Sequence, residues 1–346
     1  MISESIQPSA SFFRVLFRRL MRLTLVLGML SISVLLVFYG PEGILTKGSR
    51  NSDITILIKP GTSSFSIAEQ FVQEGVFSYP WFFLVAQHLH YPKKKLKAGE
   101  YLISKTASPW AIVNQIAEGR TVIRKLTIPE GLMVSQIVNI LENTDSLSGK
   151  IRSIPPEGTL LPETYSYSYG DDRQKILNHM QHSMTNLLNE LWPQKVSKNP
   201  HTNTPHNALV LASIVEKETR LPVERRRVAS VFLNRLKIGM RLQADPTVIY
   251  AITEGKHALE RELTRKDLQT ESPFNTYTVT GLPPSPIACP GRASIEAVLD
   301  PETTKDLYFV ADGTGGHVFS SNLKDHNQRV TTWRKISRRQ TQEGKL

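Results

Sequence analysis

The sequence predicts an α+β protein attached to a membrane by one N-terminal helix. Three observations predict it. Residues Leu23 to Pro41 contain no charged side chain. Beyond residue 53, short alternating runs intersperse with stretches of helical periodicity. The composition, 40% hydrophobic, 21% charged and 8% aromatic over 346 residues, is that of a globular chain and excludes a disordered or fibrous one. The single cysteine, Cys289, excludes an intrachain disulfide and any multi-cysteine metal site. A net charge of +11 points to an anionic partner: nucleic acid, lipid headgroups or a carboxylate-bearing polymer.

The first element narrows that choice. Residues 1–22 carry Arg14, Arg18, Arg19 and Arg22 against Glu4. The charge-free run that follows, 23–41, reaches about 28 Å as a helix, close to the hydrocarbon thickness of a bilayer. A cleaved signal peptide is the alternative, but the run is long for one and no small-x-small site follows it. Arginines on its N-terminal side keep 1–22 in the cytoplasm and export everything after it, placing the chain in the inner membrane. An exported domain does not meet nucleic acid. Residues 42–52, EGILTKGSRNS, read as a spacer.

The next elements form a lobe over 53–150. ITILIKPG alternates as a strand ending in a turn. In SSFSIAEQFVQEGV, Phe65, Ala68 and Val72 recur at helical spacing between a Ser64 cap and a Gly75 stop. A second helix, YPWFFLVAQHL, precedes the basic run Lys93–Lys95, read as a solvated loop, and the strand EYLIS. Seventy residues on, the pattern returns: Ile58, Gly61, Ile67 and Phe71 align with Ile128, Gly131, Ile137 and Leu141. Two copies are too few for a solenoid. Strand–helix–helix–strand is loosely similar to LysM glycan-binding modules; a duplicated α+β spacer fits the pattern equally.

Residues 151–340 form a second domain. A turn-rich stretch to about 175 is followed by a helix near 173–191 and a polar loop at 197–207. ALVLASIVEKETR and LPVERRRVASVFLNRLKIG read as helices, the second with Val228, Val231, Phe232 and Leu236 on one face and Gly239 as terminator. Asp245 caps a third helix that Pro246 starts. A Pro/Gly-rich loop, the helix RASIEAVLD, a hairpin in DLYFVADGTGGHVFS and a basic amphipathic helix complete the chain.

Within EKE, Glu216 and Glu218 point in different directions on a helix. Glu216 shares a face with Arg220, so an i,i+4 surface pair explains it. Glu218 continues the stripe Leu211–Ile214–Val215 to where the apolar face ends. There a carboxyl group is either a solvated helix-end side chain or a desolvated general acid. Cys289, His317 and Asn322 are residue types of a thiol hydrolase, but Cys289 has no adjacent base and lacks a nucleophile's flanking pattern. The nine histidines are scattered, and neither a metal-binding pair, a phosphate loop nor a G-x-S-x-G elbow occurs.

Five segments in order, LPETYSY (161–167), ASIVEKE (212–218), RRVASVFLNRLKIGMRLQADPTVIYA (226–251), NTYTVTGLPPSPIACPG (275–291) and LYFVADGTGGHVFSSNLKDHN (307–327), resemble the YceG-like family of endolytic murein transglycosylases. The resemblance implies a LysM-like lobe followed by a mixed α+β catalytic domain. It also implies that Glu218, preceding Thr219, is the catalytic acid. Gln243, Asn275 and Tyr277 are then expected to bind sugar hydroxyl and acetamido groups, Tyr165 to stack on a ring, and Glu163 to serve as a nearby partner or a turn residue. One carboxyl group suffices if the C6 hydroxyl of muramic acid attacks its own C1, with no metal or cofactor. The implied activity is cleavage of MurNAc-β-1,4-GlcNAc bonds in nascent glycan strands, which ends their elongation beside the peptidoglycan synthases. A non-catalytic peptidoglycan-binding scaffold is the rival from another class. A hydrolase pairing Glu218 with Glu163 is the rival within enzymes.

Overall fold

The structure, a computed structural model, describes residues 10–41, 43–92, 96–193 and 200–342, with side chains from 14 to 337. The run Lys93–Lys95 and the start of the loop at 197–207 lie outside the described residues. The chain divides into two compact units, Met1–Ile123 and Arg124–Leu346. The sequence places the lobe's end at 150, so the second copy of the internal repeat belongs with the C-terminal unit instead.

In the first unit, helix α1 (Ala10–Tyr39) exposes apolar side chains on every face, and its 26-residue stretch Arg14–Tyr39 is long and apolar enough to cross a membrane. The segment after it is not a free spacer. Ile44 N–H donates to the Val37 carbonyl (2.9 Å) and Leu45 N–H to Phe38 (3.1 Å), folding the chain back on the helix end. Ile44 is fully buried in the lobe core, and Trp110 N–H donates to its carbonyl (3.1 Å). An apolar side chain with a core to enter overrides the spacer-like composition around it. Strands β1 (Ile54–Ile58) and β2 (Gly99–Ile103) pair antiparallel, with Ile56 opposite Tyr101. They pack with helices α2 (Ser64–Gln73), α3 (Trp81–His90) and α4 (Pro109–Glu118) around Phe71, Phe83 and Ile112. The α2 cap is Ser63, one residue before the expected Ser64: its hydroxyl accepts from Ser66 N–H (3.1 Å). The sequence reading contains no counterpart of α4, although Ser108 caps it and Pro109 opens it.

The repeat is structural. Gly61 (φ +82°) and Gly131 (φ +75°) make equivalent left-handed turns, conformations glycine adopts without penalty. Behind them Ile58, Ile67 and Phe71 are buried, as are Ile128, Ile137 and Leu141.

The second unit starts with β3 (Arg124–Thr127), paired antiparallel with β4 (Thr164–Tyr167), and α5 (Val134–Glu142) and α6 (Arg173–Leu191) cover this ribbon. Helix α7 (Pro205–Glu218) is buried continuously from Ala208 to Glu216, inside a layer made with α8 (Arg225–Lys237) and α10 (Arg292–Leu299). A helix enclosed on all faces is a rigid rod. Thr204 fixes its start by accepting from Asn207 N–H (3.1 Å). It stops at Glu218 because Thr219 turns extended (φ −136°, ψ 133°). Helix α9 (Asp245–Thr253), the hairpin β5 (Tyr308–Ala311) and β6 (His317–Ser320), and α11 (Leu323–Gln342) complete the unit.

Candidate active site

Glu218 is the last residue of α7, half-buried where the enclosed rod meets solvent. Desolvation pushes its carboxyl from an ordinary value of 4.5 up to about 8, with the negative charge of Asp245 adding to the rise and Arg235 opposing it. The loop beyond Glu218 is pinned. Thr219 Oγ1 donates to Glu224 (3.4 Å), and Glu224 in turn accepts from His317 N–H and pairs with its Nδ1, both at 2.8 Å.

Asp245, whose charge reaches Glu218, is the first residue of α9. Ala244 occupies the cap position expected of Asp245, so the Asp245 carboxylate is not spent on the helix end. It accepts the Tyr277 hydroxyl at 2.6 Å instead. Thr276 draws the two segments together. Gln243 N–H donates to its carbonyl (3.1 Å), Ala244 N–H to its hydroxyl (3.0 Å), and Thr247 shares a hydroxyl contact with it (2.8 Å). Gln243, at φ +50°, turns its exposed side chain out beside this seam. Burial, then the bond to Asp245, raises the Tyr277 phenol above its ordinary range, so it remains a donor. Arg235 is held below by the carbonyls of Leu307 (2.7 Å) and Leu242, with its guanidinium over the Tyr308 ring (5.5 Å).

Of the residues expected to touch sugar, Tyr277 is electrostatically coupled to Glu218 and Gln243 is exposed beside the Thr276 seam, whereas two others lie elsewhere. Asn275 is fully buried: its amide donates to the carbonyls of Leu268 (3.1 Å) and Thr270 (2.8 Å), and its oxygen accepts from Tyr277 N–H (2.9 Å). Every polar atom is used in shaping the loop. Tyr165 is a core residue, its hydroxyl on the Leu161 carbonyl (2.7 Å) and its ring edge-on to His179, so no face is open to a sugar. Glu163 is exposed beside β4, and its carbonyl accepts from Ile128 N–H (3.0 Å). The acidic neighbour that bears on Glu218 is Asp245, not Glu163.

Glu216 is also corrected. It is buried, not on the surface, and pairs with Arg225 (3.3 Å) rather than Arg220, while Gly291 N–H donates to it (3.0 Å). Arg225 bonds Glu130 as well (3.0 Å), and Lys217 reaches the Gly131 carbonyl (3.2 Å). This network clamps the end of α7 to the turn of the second repeat copy. Cys289 is enclosed against Glu157 (3.8 Å), and burial pushes its thiol up to about 12. His317 is engaged by Glu224 and Asn322 by Asp325, so the thiol set does not assemble.

A desolvated carboxyl at the end of a buried helix, under the charge of an aspartate bonded to a phenol, is an arrangement suited to general-acid chemistry on an α+β scaffold. The YceG-like family matches residues 56–332, and the chain belongs to it. It is 34% identical over 263 residues to an endolytic murein transglycosylase of Bacillus subtilis (strain 168), covering 67% of this chain and 71% of that protein. It is 28% identical over 322 residues to an endolytic murein transglycosylase of Streptococcus pneumoniae serotype 2 (strain D39 / NCTC 7466), covering 80% of this chain and 58% of that one. A crystal structure of a yceG-like protein from Listeria monocytogenes matches 81% of this chain and 99% of its own, with a TM-score of 0.50 and 33% identity.

Proposed function

We propose that this chain is an endolytic lytic transglycosylase of peptidoglycan, with Glu218 as its catalytic acid and base. The observation that carries the reading is the Glu218 carboxyl at the end of the buried helix α7, where desolvation pushes it up to about 8. Glu218 protonates the bridging oxygen as the bond from muramic acid C1 to GlcNAc O4 breaks. The C6 hydroxyl oxygen then bonds to C1, and its proton passes to the Glu218 carboxylate. The acid is regenerated and a 1,6-anhydro end is left. The Asp245 carboxylate, held by Tyr277, stabilises positive charge developing at the sugar ring. The Gln243 side chain is placed to bond an acetamido or hydroxyl group. Helix α1 crosses the inner membrane with its arginines in the cytoplasm, keeping the site near emerging strands and peptidoglycan synthases, where cleavage ends elongation.

Digestion of purified glycan strands by the full chain and by Glu218→Gln tests this. Anhydro-ended products from the wild type alone are expected. Anhydro ends from Glu218→Gln at the wild-type rate would remove Glu218 from its role. Asp245 gives a second reading its specific form, a hydrolase using two carboxyl groups. Products one water heavier than the anhydro ends would establish that reading instead.

A further inference from the structure

A cavity of 460 Å³ opens in the first unit directly beyond the end of α1, lined among others by Pro41, Lys47, Gly48, Arg50, Asn51 and Phe77. Pro41 lies two residues past the last residue of α1, Tyr39, whose exposed ring suits the membrane–water interface. The fold-back at Val37–Ile44 and Phe38–Leu45 makes the cavity wall continuous with the helix end, so its height above the bilayer is fixed by backbone hydrogen bonds. On the reading that α1 spans the membrane, the cavity sits in the headgroup layer, within the five to eight or so ångströms of each interfacial region.

Among its described lining residues the charge is one-sided. Lys47 and Arg50 line it, and among the described lining residues none is acidic. Lys47 is exposed and makes no ion pair with a described residue. Arg50 is held by the carbonyls of Val76 (3.4 Å) and Ser104, which fix the guanidinium without neutralising it, and its buried Nε has no partner. Among the described residues Asp53 opposes the charge of Arg50, but its carboxylate accepts from Lys105 N–H (2.8 Å), and burial outweighs it at Arg50. An anchored, incompletely satisfied guanidinium with an exposed ammonium that has no ion pair among the described residues, in a polar cleft of this size, suits an anion of phosphate shape.

We infer that this cavity binds the phosphate headgroup of an anionic membrane lipid, seating the first unit on the bilayer surface. Bilayer lipid rather than soluble phosphate is the favoured source, because the cavity begins two residues from the end of the span. Its effect would be to fix the orientation of the first unit on the membrane.

The test uses the full chain in nanodiscs of mixed phosphatidylcholine and phosphatidylglycerol, with retained lipid counted by native mass spectrometry. The wild type is expected to retain phosphatidylglycerol preferentially. Lys47→Gln should lower that preference about fivefold, the effect of one basic residue at a membrane surface. Lys59→Gln, an equal charge change outside the cavity, should leave it unaltered. Equal effects of the two variants, or no headgroup preference in the wild type, would overturn the inference. Inorganic phosphate added to the detergent-solubilised chain should not displace the retained lipid; displacement at matched concentration would overturn the lipid source. Carbonate extraction of membranes separates the two levels. Release of the wild-type chain would refute the span itself, whereas an embedded chain without headgroup preference refutes only the cavity assignment.

Discussion

The raised carboxyl of Glu218 has a consequence for stability that is independent of any substrate. Between about pH 4.5 and pH 8 the folded chain keeps a proton on Glu218 that the unfolded chain has released. Stability therefore falls as pH rises through that window, and this group contributes no slope below or above it. Full conversion of the rise corresponds to about 4.8 kcal/mol. Because Glu218 is half-buried, about half of that, ~2–3 kcal/mol, is expected in practice. Glu218→Gln has no proton to lose. It should match the wild type near pH 5 and become progressively more stable by comparison, melting ~5–10 °C higher at pH 8.5 for a unit of this size. Thermal unfolding of both full chains in detergent, followed by intrinsic fluorescence across pH 5–9, reads this directly. The same proton governs turnover: wild-type activity should drop about tenfold between pH 7 and pH 9 as the acid form is depleted. Parallel melting curves for the two proteins over the whole range would refute the desolvated carboxyl and, with it, the assignment of the acid.

The surrounding residues give further expectations. Asp245→Asn removes the charge that helps raise Glu218, so the alkaline limb of the pH–rate profile should move to lower pH. Turnover should fall on the order of tenfold to a hundredfold as charge stabilisation is lost. Asn275→Ala leaves the Leu268 and Thr270 carbonyls without their donor, and should lower stability by about 1–3 kcal/mol in chemical denaturation. Glu216→Gln weakens the buried pair with Arg225 and should destabilise by up to about 3 kcal/mol. Its activity at low temperature should keep the wild-type pH profile, since Glu216 does not carry the reacting proton; a displaced profile would assign it a direct role.

Much of the fold was legible because its signals are local. A run without charge announces α1, and the matched positions from Ile58 to Phe71 and Ile128 to Leu141 announce the repeat. Pro246 and Gly239 mark a helix start and a helix end in short windows of sequence, whereas α7 begins at Pro205, inside the stretch that reads as a polar loop. What stayed hidden depends on partners distant along the chain. The pairing of Leu126 with Tyr165 moves the second repeat copy into the C-terminal unit, and no periodicity encodes it. Helix α4 differs, because its Ser108 cap, its Pro109 start and its buried Ile112, Val113 and Ile116 are all local signals.

The site divides along the same line. A helical wheel puts Glu218 where its own helix's apolar stripe ends, and by itself leaves open whether the carboxyl there is solvated or desolvated. The same wheel misassigns Glu216, because its partners Arg225 and Gly291 lie 9 and 75 residues away, and Glu130 joins through Arg225 across 95 residues. Asp245 is the more instructive case. An aspartate before proline at a helix start reads as a cap, and a capping carboxylate is occupied. Here the Thr276 seam holds Ala244 extended (φ −97°, ψ 117°) in the cap position and carries Asp245 one residue into the helix. The Asp245 carboxylate is thereby left for the Tyr277 hydroxyl and for Glu218. One residue of register, set by a threonine on a separate loop, turns a structural carboxylate into an electrostatic partner of Glu218. Thr276→Val keeps the shape and removes the hydroxyl. It should loosen that register and reduce turnover, while leaving the core of α7, α8 and α10 at its original stability.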